Sequence, residues 1–145
     1  MKTAKDILAA KGSEIWTIKP GATISKALQI MQEKEVGALV VLDGGKPVGI
    51  VSERDYARKV LLAGKPPKST KIKEIMTQQL LGVRPHTTVD ECMMLMTTQR
   101  VRHLPVLDGE KLVGIVSIGD LVKSIIDEQK DVIEDLKNYI VGKYT

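Results

Sequence analysis

The chain contains the same passage twice. Residues Ile18–Tyr56 lie over Val83–Leu121 at a constant offset without a gap, and sixteen of the thirty-nine pairs are identical. Pro20/Pro85, Thr23/Thr88, Met31/Met96 and Val36/Val101 are among them. The run Val48-Gly49-Ile50-Val51-Ser52 recurs letter for letter as Val113-Gly114-Ile115-Val116-Ser117. Average composition alone supplies roughly two or three such matches. A repeated unit of this size cannot bury its apolar face alone and stacks on its copy. Two copies predict a pseudo-twofold molecule with functional positions in pairs.

Each unit reads as strand, helix, strand, turn, strand, helix. Trp16–Lys19 is short and β-prone, Pro20 ends it, and Thr23 offers an N-cap to a helix carrying Ala27, Leu28 and Met31 at helical spacing. Ala38–Leu42 is a continuous apolar run, as in a strand buried on both faces. Asp43-Gly44 signals a turn before a second run, Pro47–Val51, and Ser52 opens another helix. The second copy repeats this with helix Val89–Gln99, strand Leu104–Leu107, turn Asp108-Gly109, strand Leu112–Val116 and a helix from Ser117. A short helix precedes each copy, at Ala4–Leu8 and Ile72–Met76. The predicted division is residues 1–64 for the first repeat with its N-terminal helix, 65–71 for a linker, 72–126 for the second repeat and 127–145 for a C-terminal amphipathic helix. Ile125, Ile126, Val132, Ile133, Leu136, Tyr139 and Ile140 line one side of that last helix. Such a stripe needs a partner surface, either the same domain or a second protomer.

Composition removes several function classes. A chain of 145 residues is one ordinary domain, long enough to bury about two-thirds of its unfolded surface. The net charge of +4 is mild. With Trp16, Tyr56, Tyr139 and Tyr144 as the only aromatics, a stacking platform for single-stranded nucleic acid is poorly supplied. The single Cys92 excludes an internal disulfide and sits on an apolar helical stripe, as a buried thiol does. The N-terminus lacks an apolar core of signal-peptide length and no segment approaches a membrane span. The expectation is a soluble protein of the cytoplasm.

The chemistry concentrates where each copy's last strand runs through Gly-Ile-Val into Ser and a helix begins. The segments are Gly49-Ile50-Val51-Ser52-Glu53-Arg54-Asp55 and Gly114-Ile115-Val116-Ser117-Ile118-Gly119-Asp120. Ser-x-x-Asp at a helix start is close to a capping box, a purely local role. The same geometry also suits a ligand. Free amides and a hydroxyl at a helix N-terminus bind phosphate, and a carboxylate one turn on accepts from both hydroxyls of a ribose, each bond worth about 1.5–3 kcal/mol. Capping alone does not explain why the whole surrounding unit is duplicated.

The set Ile18-x-Pro20-x-x-Thr23, Val36-Gly37-Ala38-Leu39-Val40-Val41 and Gly49-Ile50-Val51-Ser52-x-x-Asp55 resembles a CBS domain, the cystathionine-β-synthase motif. Val83-x-Pro85-x-x-Thr88, Arg102-His103-Leu104-Pro105-Val106 and Gly114-Ile115-Val116-Ser117-x-x-Asp120 resembles a second. The resemblance covers nearly the whole chain except the C-terminal helix. It implies an α/β (α+β) fold of tandem β-α-β-β-α units, paired through their sheets about a pseudo-twofold axis as a stand-alone Bateman module. It also implies a flat homodimer that regulates a separate, unidentified protein, and clefts for adenosine-containing ligands: AMP, ADP, ATP, NAD(H) or S-adenosylmethionine. Under it, Ser52 and Ser117 contact phosphate, Asp55 and Asp120 hold the ribose, and backbone near Ile18 and Val83 reads the adenine edge. Gly37, Ala38, His103 and Pro105 wall the base or phosphate.

The copies differ where specificity is set. Arg54 is matched by Gly119, and Gly37-Ala38 by Arg102-His103. Arg is the preferred bidentate partner of phosphate, so the two clefts are expected to be unequal. Arg54 as an exposed helical arginine and His103 as a structural histidine are the plainer alternatives. Catalysis and metal binding are not expected. Two histidines and one cysteine fall short of the four ligands of a structural zinc site. His103, Ser117 and Asp120 are triad residue types without a counterpart for the histidine in the first copy, where Ala38 stands. The residues thus point to a regulatory sensor of adenine nucleotides. A ligand-independent interaction scaffold is the second reading and a nucleic-acid-binding regulator the third.

Overall fold

The computed structural model describes residues 1–140, so the last five residues of the expected C-terminal helix lie outside the described part. In chain order the elements are α1 (Ala4–Lys11), β1 (Thr17–Ile18), α2 (Ile24–Lys34), β2 (Ala38–Asp43), β3 (Lys46–Ser52) and α3 (Glu53–Asp55). A π-helical turn (Tyr56–Leu61) follows, then α4 (Ile72–Ile75), α5 (Val89–Gln99), β4 (His103–Asp108), β5 (Lys111–Ser117) and α6 (Ile118–Ile140). The α/β architecture expected from the repeat is present, in two small sheets ordered β1-β2-β3 and β4-β5.

Local chemistry starts and stops the helices in pairs. Thr23 Oγ1 accepts from the Lys26 amide at 3.2 Å and Thr88 Oγ1 from the Glu91 amide at 3.1 Å, satisfying N-terminal donors that the helix cannot. Both helices end on a residue of positive φ, Glu35 at 53° and Arg100 at 55°. The hairpins also match, with register slips at Val41/Leu42 and Val106/Leu107. The first strand is unequal. β1 pairs in parallel with β2, whereas its counterpart is reduced to a single bridge from Val83 to Val106.

The two cores are built by exchange. α4 precedes the second copy, yet Ile72 and Ile75 pack with Ile18, Ile24, Ala27, Met31, Leu39, Val41, Val51 and Val60 in the first core. α1 precedes the first copy, yet Ala4, Ile7 and Leu8 pack with Val83, Val89, Cys92, Met96, Leu104, Val106, Val116 and Leu121 in the second. Backbone bonds fix both crossings. The Ala4 amide donates to Thr87 O, the Val89 amide to Lys2 O, the Ile24 amide to Thr70 O and the Ile72 amide to Ala22 O. The helix that precedes the first copy in sequence thus belongs spatially to the second.

The crossing segments run over matched glycines. A Cβ at Gly49 would stand 2.7 Å from Thr77 O, and one at Gly114 would stand 2.6 Å from Leu8 Cδ1. The duplicated Val-Gly-Ile-Val-Ser run keeps glycine where the exchanged segment lies on the sheet.

After the matched serines the copies diverge. The first continues as α3 and a π-helical turn, with the Leu62 amide bonded to Ala57 O. The second continues as one helix of 23 residues, α6. Leu121 and Ser124 are buried against the second core and Ile125 packs on it. Beyond Asp127, α6 leaves the body. Val132, Ile133, Leu136, Tyr139 and Ile140 are all more than half exposed, so the protomer's own domain does not cover this part of the stripe.

Candidate ligand clefts

Strand register sets the candidate residues in pairs. In the first hairpin Ala38 faces Ser52, and in the second His103 faces Ser117. The residue entering each middle strand is therefore the cross-strand neighbour of the serine that ends the hairpin. The main chain adds one more matched contact. The Glu53 amide donates to Gly37 O at 3.0 Å and the Ile118 amide to Arg102 O at 2.9 Å. One amide of each helix start is thereby tied to its own hairpin.

Both Ser–Asp pairs close as reciprocal caps. Asp55 Oδ2 accepts from the Ser52 amide at 2.9 Å and from Ser52 Oγ at 3.1 Å, while the Asp55 amide donates back to Ser52 Oγ at 3.2 Å. Asp120 Oδ2 accepts from the Ser117 amide at 2.8 Å, and the Asp120 amide donates to Ser117 Oγ at 3.1 Å. The local capping role is therefore real in both copies, and it aligns each carboxylate.

Each aspartate also meets a lysine, from different places. Lys59, one turn on, lies 3.2 Å from Asp55 Oδ1 and donates to Ile75 O at 3.0 Å. In the second copy the matched position is Ser124, and the cation is Lys11 of α1, 2.7 Å from Asp120 Oδ2. Burial pushes the Asp120 carboxyl upward, but the bonds from Lys11 and the Ser117 amide outweigh it and leave its pKa below the ordinary carboxylate value. For His103 burial lowers the pKa, and Lys11 and Arg102 add to that against the opposing pull of Asp120. The imidazole is therefore neutral at pH 7, an acceptor as well as a donor.

The halves meet at Gly37. A Cβ there would stand 3.1 Å from Glu53 Oε1 and 3.2 Å from His103 Nε2, so a side chain of the second copy abuts a backbone position of the first. Arg54 also crosses. Its Nη1 donates to Arg100 O at 3.4 Å, at the C-terminal end of α5, where a cation suits the exposed carbonyls. Gly119 has no side chain to make such a reach, so this contact has no counterpart in the second copy.

Other candidates sit apart from the carboxylates. Ile18 and Val83 are core residues, and Val83 spends its amide on Pro105 O and its carbonyl on the Leu107 amide. Val83 also borders a groove with Arg84, Thr87, Glu91 and Met94 that Ser117 and Asp120 do not line. Pro105 is fully buried on β4. Cys92 is buried, and burial pushes its thiol pKa up. Among the described residues no three of His, Cys, Asp and Glu gather as a metal-ligand set, and no helix is long and apolar enough to cross a membrane.

A family model of the CBS domain matches residues 3–62 and 72–127, the two copies with their exchanged helices. The chain belongs to the CBS-domain family. Over 98% of its length it is 39% identical to the CBS domain-containing protein CBSX3, mitochondrial, of Arabidopsis thaliana, covering 73% of that protein. It is 31% identical to YhcV of Bacillus subtilis, covering 83% of this chain and 84% of that one. Among solved structures, a CBS-domain protein of Burkholderia ambifaria is 51% identical with a TM-score of 0.85, over 88% of this chain and 96% of the other. The CBS domain pair of the protein MJ0100, solved with 5′-methylthioadenosine and S-adenosylmethionine, is 28% identical with a TM-score of 0.79, over 88% of this chain and 98% of that one. The two CBS repeats read from the sequence are thus shown as a CBS pair.

Proposed function

We propose that this CBS pair is a regulatory module that binds adenosine-containing ligands in two unequal clefts. The observation that carries the reading is the duplicated pair of helix starts. Each presents a Ser hydroxyl and an aligned Asp carboxylate beside a lysine. A carboxylate accepts from vicinal ribose hydroxyls, and a lysine complements phosphate. The MJ0100 pair, similar over most of its length, is solved with two adenosine compounds. AMP, ADP, ATP, NAD(H) and S-adenosylmethionine are the candidate ligands. Ser52, Asp55, Arg54 and Gly37-Ala38 are assigned to one cleft, and Ser117, Asp120, His103 and Pro105 to the other. Backbone near Ile18 and Val83 takes the base.

Self-association as a homodimer, a regulated protein outside this chain and a cytoplasmic location complete the proposal. The module itself is read as non-catalytic. The chain is 30% identical to inosine-5′-monophosphate dehydrogenase of Methanocaldococcus jannaschii but spans only 21% of that enzyme.

Isothermal titration of the wild type, Asp55→Asn and Asp120→Asn with AMP, ATP, NAD and S-adenosylmethionine tests the reading. The expected result is saturable binding at micromolar levels, with each substitution removing one class of site. Linked stabilisation should appear as a ligand-dependent rise in Tm. One observation favours a second reading, a ligand-independent scaffold: both aspartates are already bonded within the fold. No heat and no Tm shift with any of the four at millimolar concentration would establish that alternative.

A further inference from the structure

α6 emerges from the second core at Ile125 and carries an apolar face that no other described residue covers. Val122, Ile126, Ile133, Leu136 and Ile140 are 42%, 45%, 53%, 57% and 72% exposed. A helical segment of this length is marginal in water by itself, so an apolar stripe along it calls for an occupant. The spacing says which kind. Val122, Ile126, Gln129, Ile133, Leu136 and Ile140 follow one another at alternating steps of four and three. That is the 3.5-residue period of a coiled-coil seam, widened along one flank by Ile125, Val132 and Tyr139.

Residue choice then fixes partner number and direction. With 122, 129 and 136 as d positions, Ile126, Ile133 and Ile140 all fall at a. β-branched residues at a favour two parallel strands where d is Leu, which holds at Leu136, while Val122 and Gln129 fill the other two d positions. Gln129 is the one polar residue in the seam, the kind of position that sets register at a cost in stability. The flanks agree. Every e position is a lysine, Lys123, Lys130 and Lys137, and the g positions are Ile125, Val132 and Tyr139. In a parallel pair g lies beside e of the next heptad on the other strand, so the Lys137 stem covers Val132 of the partner helix while its ammonium stays in water. Ile125, the residue opposite Lys130, already packs on the second core. In an antiparallel pair the lysine columns would face each other.

We infer that α6 is a dimerisation helix that pairs in parallel, in register, with α6 of a second copy of this chain along Ile126, Gln129, Ile133, Leu136 and Ile140. The inference rests on the self-association part of the proposed function and is independent of the nucleotide. The seam holds fewer than three heptads, and the rooting of α6 in the second core through Leu121 and Ser124 offsets the cost of starting the helix.

Cysteine cross-linking of the full chain tests it. In a parallel, in-register pair a d residue faces its own copy, so Leu136→Cys should give a covalent dimer under mild oxidation. Asp131→Cys, on the outer side, should stay monomeric, and the native Cys92 is buried and out of reach. Ile133→Asp with Leu136→Asp changes only exposed positions and should weaken self-association at least tenfold by sedimentation equilibrium while the Tm of the body is kept. If the wild type sediments as a dimer but Leu136→Cys links no faster than Asp131→Cys, another face or a different protein covers α6, and the seam is wrong while self-association stands. A wild-type monomer at high micromolar concentration would overturn both.

Discussion

Lys11 reaches Asp120 across 109 positions of sequence, placing its Nζ 2.7 Å from Oδ2 of the carboxylate. The contact joins the last residue of the first helix to the candidate ribose acid of the second repeat. It exists because α1 packs into the core of the copy it does not precede. In the first repeat the matched aspartate is served from its own helix, by Lys59. The two acids are alike in sequence and held by different parts of the molecule.

Removing that cation should weaken the fold modestly and only where the acid is ionised. Both partners are partly exposed, so Lys11→Met is expected to cost about 0.2–1 kcal/mol near neutral pH. The Asp120 pKa is depressed in the folded chain, below the ordinary aspartate value of 3.8. Its stabilisation is therefore present above that value and lost as pH falls through the lower folded one. Urea unfolding of wild type and Lys11→Met should differ at about pH 7 and converge at about pH 2. A difference that persists in acid would assign the loss to the packing of the lysine stem.

The matched glycines should respond unequally. At Gly49 the obstacle is a backbone oxygen, Thr77 O, whose segment is pinned by paired bonds between Ile50 and Thr77. At Gly114 it is the end of the Leu8 side chain, which can turn aside. Overpacking of this kind costs about 1–3 kcal/mol. Gly49→Ala is expected at the upper end and Gly114→Ala at the lower, read as the shift in urea midpoint. Equal losses would mean that α1 is held as rigidly as the segment after α4.

Much of this was readable from the letters. Thr23 and Thr88 start their helices, Asp43-Gly44 and Asp108-Gly109 turn their hairpins, and Val89–Gln99 is the helix that its apolar spacing announces. The CBS resemblance followed from ordered motifs, and the family match covers the same two stretches. The exchange of α1 and α4 was not readable, because the apolar spacing of Ala4, Ile7 and Leu8 marks a buried helix face without naming the core it enters. Arg54 reads from the letters as either a phosphate partner or an exposed helical arginine, and local sequence does not show that Arg100 O lies within its reach. The Lys11 contact did leave a trace. Lys59 has Ser124 as its counterpart, so the second aspartate lacks a lysine at the matched position four residues on.

The exchange itself predicts where damage spreads. Ile7→Ala removes buried side-chain volume from the second core, at an expected cost of about 2–5 kcal/mol. Hydrogen exchange should then accelerate in α5, β4 and β5 more than in α2 and β2, although Ile7 precedes the first copy. Ile75→Ala should do the reverse, loosening α2, β2 and β3. Faster exchange confined to each helix's own sequence repeat would contradict the packing.

His103 gives a readout that separates a cleft ligand from binding elsewhere. Its imidazole is held neutral by burial, then by Lys11 and Arg102, against the pull of Asp120, and it lies beside Gly37 and Glu53. A depressed folded pKa means that the unfolded chain takes up the proton first. Stability from this group is therefore full above the ordinary histidine value of 6.5 and declines as pH falls toward the folded value. His103→Gln should flatten that part of the pH–stability curve and identify the His103 ring resonance in proton NMR. The resonance should titrate with a midpoint below 6.5 in the free protein. An anionic phosphate bound against the ring favours the charged form, so saturating AMP should move the midpoint upward. A nucleotide that binds while leaving the midpoint unchanged would place its phosphate away from His103 and reassign the wall of the second cleft.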